Sequence, residues 1–183
     1  MLQSIIFKLR ISYNWNIGFS YINPEDILAK QDAKFRWLKH SYKDRFFADP
    51  FVLKMEANKL FLLVEEYIYT EKCGYISLLE VDTNDFTLIS RKTVLALDSH
   101  LSYPFTFKFK DRIYVLPENG SSGHLKLYLL EGHELVEVAV FPNLSLADAT
   151  VLEEGGIYYL FATKYPDTTQ DLYRYQLDIS RMP

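Results

Sequence analysis

Two aspartates stand at matching places where apolar segments begin. Asp49 lies in Ala48-Asp49-Pro50-Phe51, and Asp148 lies in Leu146-Ala147-Asp148-Ala149. Glycoside hydrolysis requires a pair of carboxyl groups, one acting as general acid and the other as base or nucleophile. The alternative for Asp49 is an Asx turn, which an aspartate before a proline readily forms. The two positions therefore predict either a carboxylate site or structural turns.

Two glutamates, Glu65 and Glu118, end apolar runs at equivalent places, in KLFLLVEE and RIYVLPEN. Burial raises the pKa of a carboxyl group, which can then serve as a general acid. The alternative is a charged side chain at a strand end that reaches solvent or pairs with lysine or arginine. We favour this alternative for the neighbouring Glu66. We take Glu118 as a catalytic candidate together with Asp49 and Asp148, and Glu65 as a substrate-binding candidate.

The segment His100-Leu101-Ser102-Tyr103-Pro104 supplies three further binding candidates. His100 can titrate near neutral pH. Tyr103 can donate a hydrogen bond to a sugar hydroxyl or stack on a sugar ring. We therefore assign His100, Ser102 and Tyr103 to substrate binding, with a structural turn around a satisfied histidine as the alternative.

Several classes of function have no support in the sequence. The other histidines, His40, His124 and His133, are isolated, so we expect no metal and no cofactor. The formal net charge is −4 and no basic run occurs, which argues against a nucleic-acid partner. The single cysteine, Cys73, excludes an intrachain disulfide and favours the cytoplasm. No apolar stretch reaches the roughly 18 residues of a membrane span.

Three segments of the chain share one layout. Each has a short motif with an apolar run (ADPFVLK, SYPFTFK, ADATVLE), then a denser apolar strand (KLFLLVEE, RIYVLPEN, GIYYLFAT), then a third strand (ISLLEVD, LKLYLLE, DLYRYQL). The first two segments add a fourth strand, and the spacing of about 50 residues is that of a β-propeller blade. We therefore predict an all-β fold, a partial propeller that forms one domain over residues 1–183. Its expected parts are N-terminal strands within 4–40 and blades at 48–98, 101–141 and 146–180.

The propeller interpretation brings the candidate residues together. The first strand of each blade is innermost, so Asp49, Tyr103 and Asp148 are expected to converge on one funnel. The N-terminal region is expected to hold strands at 4–9, 15–22 and 34–40 and a short helix over 24–31. Three blades with an N-terminal hairpin do not close a ring, so we expect either a longer parent protein or self-association through open blade edges.

The ordered motifs resemble a known family. In order, they are Phe46-Phe47-Ala48-Asp49-Pro50-Phe51, Val64-Glu65-Glu66, Gly74-Tyr75-Ile76-Ser77, His100 to Phe105, Ile113 to Glu118, and Leu146 to Thr150. This set resembles the N-terminal propeller domain of glucosamine inositolphosphorylceramide transferases and their bacterial relatives. That domain is similar to the five-bladed propellers of glycoside hydrolase families 43 and 32.

The resemblance implies roles for individual residues. In the hydrolases the aspartate of blade one is the base or nucleophile, which corresponds to Asp49, and the aspartate of blade three orients the substrate or tunes the acid, which corresponds to Asp148. The general acid usually comes from the following blade, beyond this sequence, and Glu118 is the substitute that the chain offers. In the transferases the propeller accompanies a separate catalytic domain.

Three functions follow from these observations. We favour a module that binds a carbohydrate or glycoconjugate, or is accessory to an enzyme that does. The first alternative is a glycosidase-like hydrolase of the family 43/32 type that uses Asp49 and Asp148. The second is a self-associating fragment.

Overall fold

The computed structural model describes residues 14–22, 24–29 and 34–179. The strand predicted over residues 4–9 lies outside them. The described chain is almost entirely β-structure in four antiparallel sheets, and neighbours in each sheet are consecutive strands. The strands are β1 (Gly18–Phe19), β2 (Arg36–Trp37), β3 (Arg45–Glu56), β4 (Lys59–Ile68), β5 (Cys73–Asp82), β6 (Leu88–Leu95), β7 (Ser102–Phe109), β8 (Arg112–Glu118), β9 (His124–Glu131), β10 (Glu134–Pro142), β11 (Leu146–Glu154), β12 (Ile157–Lys164) and β13 (Tyr173–Leu177).

The three larger sheets correspond to the three predicted blades. Strands β3 to β6 form the first, β7 to β10 the second, and β11 to β13 the third. Strands β1 and β2 form a two-stranded ladder, with the helix α1 (Pro24–Leu28) between them in sequence. Each large sheet is a meander because short turns join strands whose apolar residues alternate.

The sheets pack face to face, and strand β4 shows how. Leu62 and Val64 belong to an apolar cluster with Ile17 and Leu38 of the N-terminal segment. Leu63, between them in sequence, belongs to a different cluster, shared with the second sheet. Successive residues of a strand point to opposite faces, so β4 is covered on both faces and reads as a continuous apolar run.

The first strand of each sheet is the innermost one. Strand β7 contacts both β3 and β11. A third apolar cluster, which includes Tyr114 and Leu160, fills the space between the second and third sheets. The chain is therefore an all-β partial propeller, which confirms the fold predicted from the repeat.

The N-terminal elements are shorter than predicted. The strands expected over 15–22 and 34–40 reduce to the two-residue strands β1 and β2, because only two residue pairs form their ladder. Helix α1 ends at Leu28. Leu38 instead donates its backbone N–H to Ile17, and Lys39 bridges to Thr87 in the first sheet. This segment thus packs against the first sheet more as irregular chain than as strands. No helix among the described residues is long and apolar enough to cross a membrane.

Candidate functional site

The three inner strands carry the same irregularity at the same place. Between the pairs Ala48–Glu65 and Phe51–Leu63, strand β3 has one residue more than β4. A single extra residue of this kind is a β-bulge, which bends the strand and re-aims a side chain. The equivalent bulges lie between Ser102 and Phe105 in β7, and between Ala147 and Thr150 in β11.

A residue with positive φ stands at each bulge. The φ angles are 48° at Asp49, 40° at Tyr103 and 52° at Asp148. These are the residues predicted to converge on the funnel, and the structure places them at one register position of the three inner strands. The bulges themselves were not predicted. Pro50 and Pro104 were the available signal, because proline inside a strand is largely confined to edges and bulges.

Two carboxylates bridge neighbouring sheets at these bulges. The backbone N–H of Tyr103 donates to Asp49 Oδ2 at 3.1 Å. The backbone N–H of Asp148 donates to Glu118 Oε2, also at 3.1 Å. The bulged backbone therefore supplies donors that hold carboxylates at the funnel, and the three sheets meet there.

Among the carboxyl groups of Asp49, Glu65, Glu118 and Asp148, that of Glu65 is the most buried. Its side chain is 10% exposed. It lies opposite Ala48 on strand β4 and within hydrogen-bond reach of Asp49. Burial, together with the charges of Asp49 and Glu118 and a hydrogen bond with Asp49, raises the pKa of Glu65 to about 8. Glu65 is consequently protonated at neutral pH.

The other carboxyl groups share this electrostatic environment. The pKa of Glu118 is raised, mainly by burial and also by the charges of Asp148 and Asp49. The hydrogen bond from the Asp148 N–H partly opposes this rise. Burial and the charge of Asp49 raise the pKa of Asp148. The four carboxyl groups therefore form one acidic funnel, a name we keep for Asp49, Glu65, Glu118 and Asp148.

His100 stands beside the acidic funnel with a defined orientation. The backbone N–H of Gly74 donates to His100 Nδ1 at 2.9 Å, and His100 Nε2 lies 3.5 Å from Glu65 Oε1. Because Nδ1 accepts, the ring proton of the neutral imidazole is assigned to Nε2, which faces Glu65. Burial lowers the pKa of His100, and the charge of Asp49 partly opposes this. The imidazole is therefore neutral at pH 7.

Tyr103 and Ser102 differ in their access to the funnel. The hydroxyl of Tyr103 lies 3.1 Å from Thr150 Oγ1, and its ring meets Phe51 edge-on with centroids 5.1 Å apart. Tyr103 is half-buried, whereas Ser102 is buried and pairs with Glu118 in the ladder. Thr150, Phe51 and Gly74 were not predicted from the sequence, because their roles depend on contacts between sheets. In the described part of the chain, no group of three or more histidine, cysteine, aspartate or glutamate residues is arranged to hold a metal ion.

The pKa of Glu65 predicts a pH-dependent stability. The folded chain keeps this proton up to a pH of about 8, whereas the unfolded chain loses it near the ordinary pKa of 4.5. Between these values the folded state binds more protons, so the free energy of unfolding falls as pH rises. Glu65→Gln cannot ionise and is expected to retain about 3 kcal/mol that the parent loses between about pH 5 and pH 8. Urea denaturation at both pH values measures this difference. The exposed Glu131→Gln is the control, and equal pH slopes for the parent and Glu65→Gln would contradict the prediction.

Solved structures with a similar fold are glycan-processing enzymes. An exo-β-1,3-galactanase from Phanerochaete chrysosporium matches with a TM-score of 0.54 and 12% identity, covering 74% of this chain and 36% of the galactanase chain. An exo-1,5-α-L-arabinanase from a bovine ruminal metagenomic library matches with a TM-score of 0.54 and 14% identity, covering 91% of this chain and 66% of the arabinanase chain. The fold is thus that of a propeller related to glycosidase structures.

The sequence comparisons define the family. A family profile described as "Glucosamine inositolphosphorylceramide transferase 1, N-terminal" matches residues 35–180, and the chain belongs to this family. A protein named glucosamine inositolphosphorylceramide transferase 1 from Oryza sativa subsp. indica is 33% identical over 132 residues, which are 68% of this chain and 17% of the relative. Its namesake from Arabidopsis thaliana is 30% identical over 125 residues, 66% of this chain and 16% of the relative. The chain spans about a sixth of these relatives, and the resemblance seen in the motifs is confirmed.

Proposed function

We propose that the acidic funnel binds a carbohydrate, and that this domain is a sugar-binding accessory to a glycosyltransferase. The observation that carries the proposal is the meeting of four carboxyl groups and His100 where the inner strands converge. Carboxylates accept hydrogen bonds from sugar hydroxyls, and the neutral imidazole adds a donor. The membership in a glycosyltransferase-related family supports the same ligand class.

The charge of the funnel favours an amino sugar. Burial and mutual repulsion raise the pKa values of Glu65, Glu118 and Asp148, so a positive charge among them relieves repulsion. The ammonium group of glucosamine, the sugar in the name of the relatives, supplies that charge. N-acetylation removes it, so N-acetylglucosamine is a matched neutral ligand.

The proposal is tested by titrating the protein with glucosamine, N-acetylglucosamine and glucose, with binding followed by NMR chemical shifts. We expect glucosamine to bind most tightly, and Asp49→Asn to weaken its binding roughly tenfold, because a charge-assisted hydrogen bond is lost. The control is Asp111→Asn, because Asp111 also has positive φ but lies in the turn between β7 and β8. No saturable binding by the parent, or equal weakening by the two variants, would overturn the proposal.

Hydrolysis of a glycoside is the second candidate, and the raised pKa of Glu118 favours it. Glu65 is within hydrogen-bond reach of Asp49, closer than the ~5 Å that a glycosidase needs between its two carboxyl groups. The working pair in this candidate is therefore Asp49 as base or nucleophile with Glu118 as acid, while Asp148 orients the substrate. Release of nitrophenol from aryl glycosides measures this activity, and Asp49→Asn should abolish it. Turnover that is unchanged in Asp49→Asn would exclude this mechanism.

A further inference from the structure

A second cleft lies on the side of the propeller where strand β3 begins and β4 ends. Arg45 is the first residue of β3, and Tyr69 directly follows β4. Both line a cleft of about 590 Å³ whose other wall is the N-terminal segment, with Trp15, His40 and Lys43. The predicted funnel does not include this cleft, and none of the acidic funnel residues lines it.

The charge of this basic cleft is opposite to that of the acidic funnel. Lys39, Lys43 and Arg45 line it, and no carboxylate among the described residues does. The guanidinium of Arg45 is engaged by Asp44 and Glu66, and Lys39 pairs loosely with Asp85 at 3.4 Å. Lys43 is exposed and has no ion pair within the described ranges. One cation at the cleft therefore lacks a counter-charge.

His40 adds a second unsatisfied polar group. Its Nδ1 atom is buried and has no hydrogen-bond partner in the part of the chain that the structure describes. Burial lowers the pKa of His40, and the positive charge of Lys43 lowers it further. An anion bound at Lys43 would neutralise the unpaired charge and oppose its effect on His40.

Aromatic rings form the remaining wall. The guanidinium carbon of Arg45 lies 4.7 Å from the ring centroid of Tyr42, and the hydroxyl of Tyr69 donates to Asn14 Oδ1 at 3.0 Å. A row of rings leads from this wall towards the acidic funnel: Tyr69 and Tyr67 have centroids 6.3 Å apart, and Tyr67 and His100 have centroids 5.9 Å apart. A ligand with an anionic group and a neighbouring sugar ring matches both the charge and the aromatic surface.

We propose that the basic cleft lined by His40, Lys43 and Trp15 binds the phosphate group of a phosphorylated glycoconjugate. Phosphate offers several acceptor oxygens to the lysine ammonium and the imidazole at once. The proposal does not rest on sugar binding in the acidic funnel, because its primary test uses inorganic phosphate alone.

The test is a titration with inorganic phosphate at constant ionic strength, maintained with sodium chloride. Trp15 lines the cleft, and the only other tryptophan, Trp37, does not. The variant Trp37→Phe therefore makes Trp15 the sole fluorescence reporter. We expect a saturable change in fluorescence, and Lys43→Gln should weaken phosphate binding roughly fivefold, as for loss of one partly exposed ion pair.

The matched control is Lys108→Gln, which removes the same charge from an exposed position on strand β7. Lys108→Gln should leave phosphate binding unchanged. The absence of a saturable response, or equal weakening by the two lysine variants, would overturn the proposal.

Two further arms identify the source of the phosphate group. Inositol 1-phosphate should displace inorganic phosphate if the group belongs to a soluble polyol phosphate. Vesicles of phosphatidylcholine with added phosphatidylinositol should retain the protein, compared with pure phosphatidylcholine, if it belongs to a lipid headgroup. Lys43→Gln should weaken whichever interaction is found. Failure of both ligands to bind would contradict the proposal that the bound phosphate group belongs to a glycoconjugate.

Discussion

Replacing Glu66 by glutamine should lower the free energy of unfolding by about 3–5 kcal/mol, the typical effect of removing one partner from a buried ion pair. The side chain of Glu66 is fully buried on strand β4. Arg45 Nη1 donates to one carboxylate oxygen at 2.6 Å, and Arg91 Nε donates to the other at 2.7 Å. Ser77 Oγ donates a further hydrogen bond to Glu66. Glutamine keeps the shape but leaves two arginines without their common counter-charge.

Urea denaturation at pH 7 measures this loss. The control is Glu56→Gln, because Glu56 also forms an ion pair, at 2.8 Å from Lys54, but with both side chains about half exposed. An exposed pair contributes less than about 1 kcal/mol, so the control should change stability little. A loss in Glu66→Gln no greater than in Glu56→Gln would contradict the prediction and show that the partly buried arginines find other partners. Adding Arg91→Met should recover part of the loss, because it removes one uncompensated charge.

The second large effect is expected at Gly74, where two sheets approach each other closely. An added Cβ atom would lie 2.7 Å from His100 Cε1 and would also collide with the backbone oxygen of Leu101. The Leu101 N–H donates to the Gly74 oxygen at 3.0 Å, so the backbone cannot withdraw without breaking this bond. Gly74→Ala should therefore destabilise the fold by about 3 kcal/mol through overpacking.

Gly74→Ala should also displace His100 from Glu65, which gives a readout beyond stability. The ring resonances of His100, followed by NMR from about pH 5 to pH 8, should lose the lowered pKa that burial imposes. The matched control is Gly18→Ala, whose Cβ would have its nearest contacts with the exposed side chains of Trp37 and Phe35, at 3.1 and 3.2 Å. An unchanged His100 titration in Gly74→Ala would contradict the positioning role.

The blade repeat could be predicted because its signal is local. Alternating apolar residues and short polar turns recur in each unit, and the meander pairs each strand with its neighbour in sequence. The equivalent places of Asp49, Tyr103 and Asp148 followed from the same repeat. The sequence also distinguished Glu65 from Glu66, and Glu66 does pair with arginine as expected, but its complete burial could not be predicted. Their different surroundings depend on Arg91, which is distant in sequence and reaches Glu66 from strand β6.

The contacts between sheets were also beyond prediction. That Gly74 orients His100, and that Glu118 accepts the N–H of Asp148, depends on how one blade is placed against the next. The basic cleft could not be predicted for the same reason, because His40 and Lys43 meet Trp15 and Tyr69, which are distant in sequence, only when the N-terminal segment packs against the first sheet. Residues that follow no periodic pattern do not reveal from the sequence alone which distant residues they contact.

The bulges of the inner strands combine backbone strain with side-chain contacts between the sheets. A non-glycine residue held at positive φ raises the energy of the folded state, and glycine would relieve that strain. The chain instead places Asp49, Tyr103 and Asp148 at these positions, all with side chains that glycine would remove. Glycine would also remove the contacts that these side chains make between the sheets, as Asp49 does with the Tyr103 N–H, so the bulges exchange backbone strain for cohesion between blades and, under the proposed function, for ligand recognition.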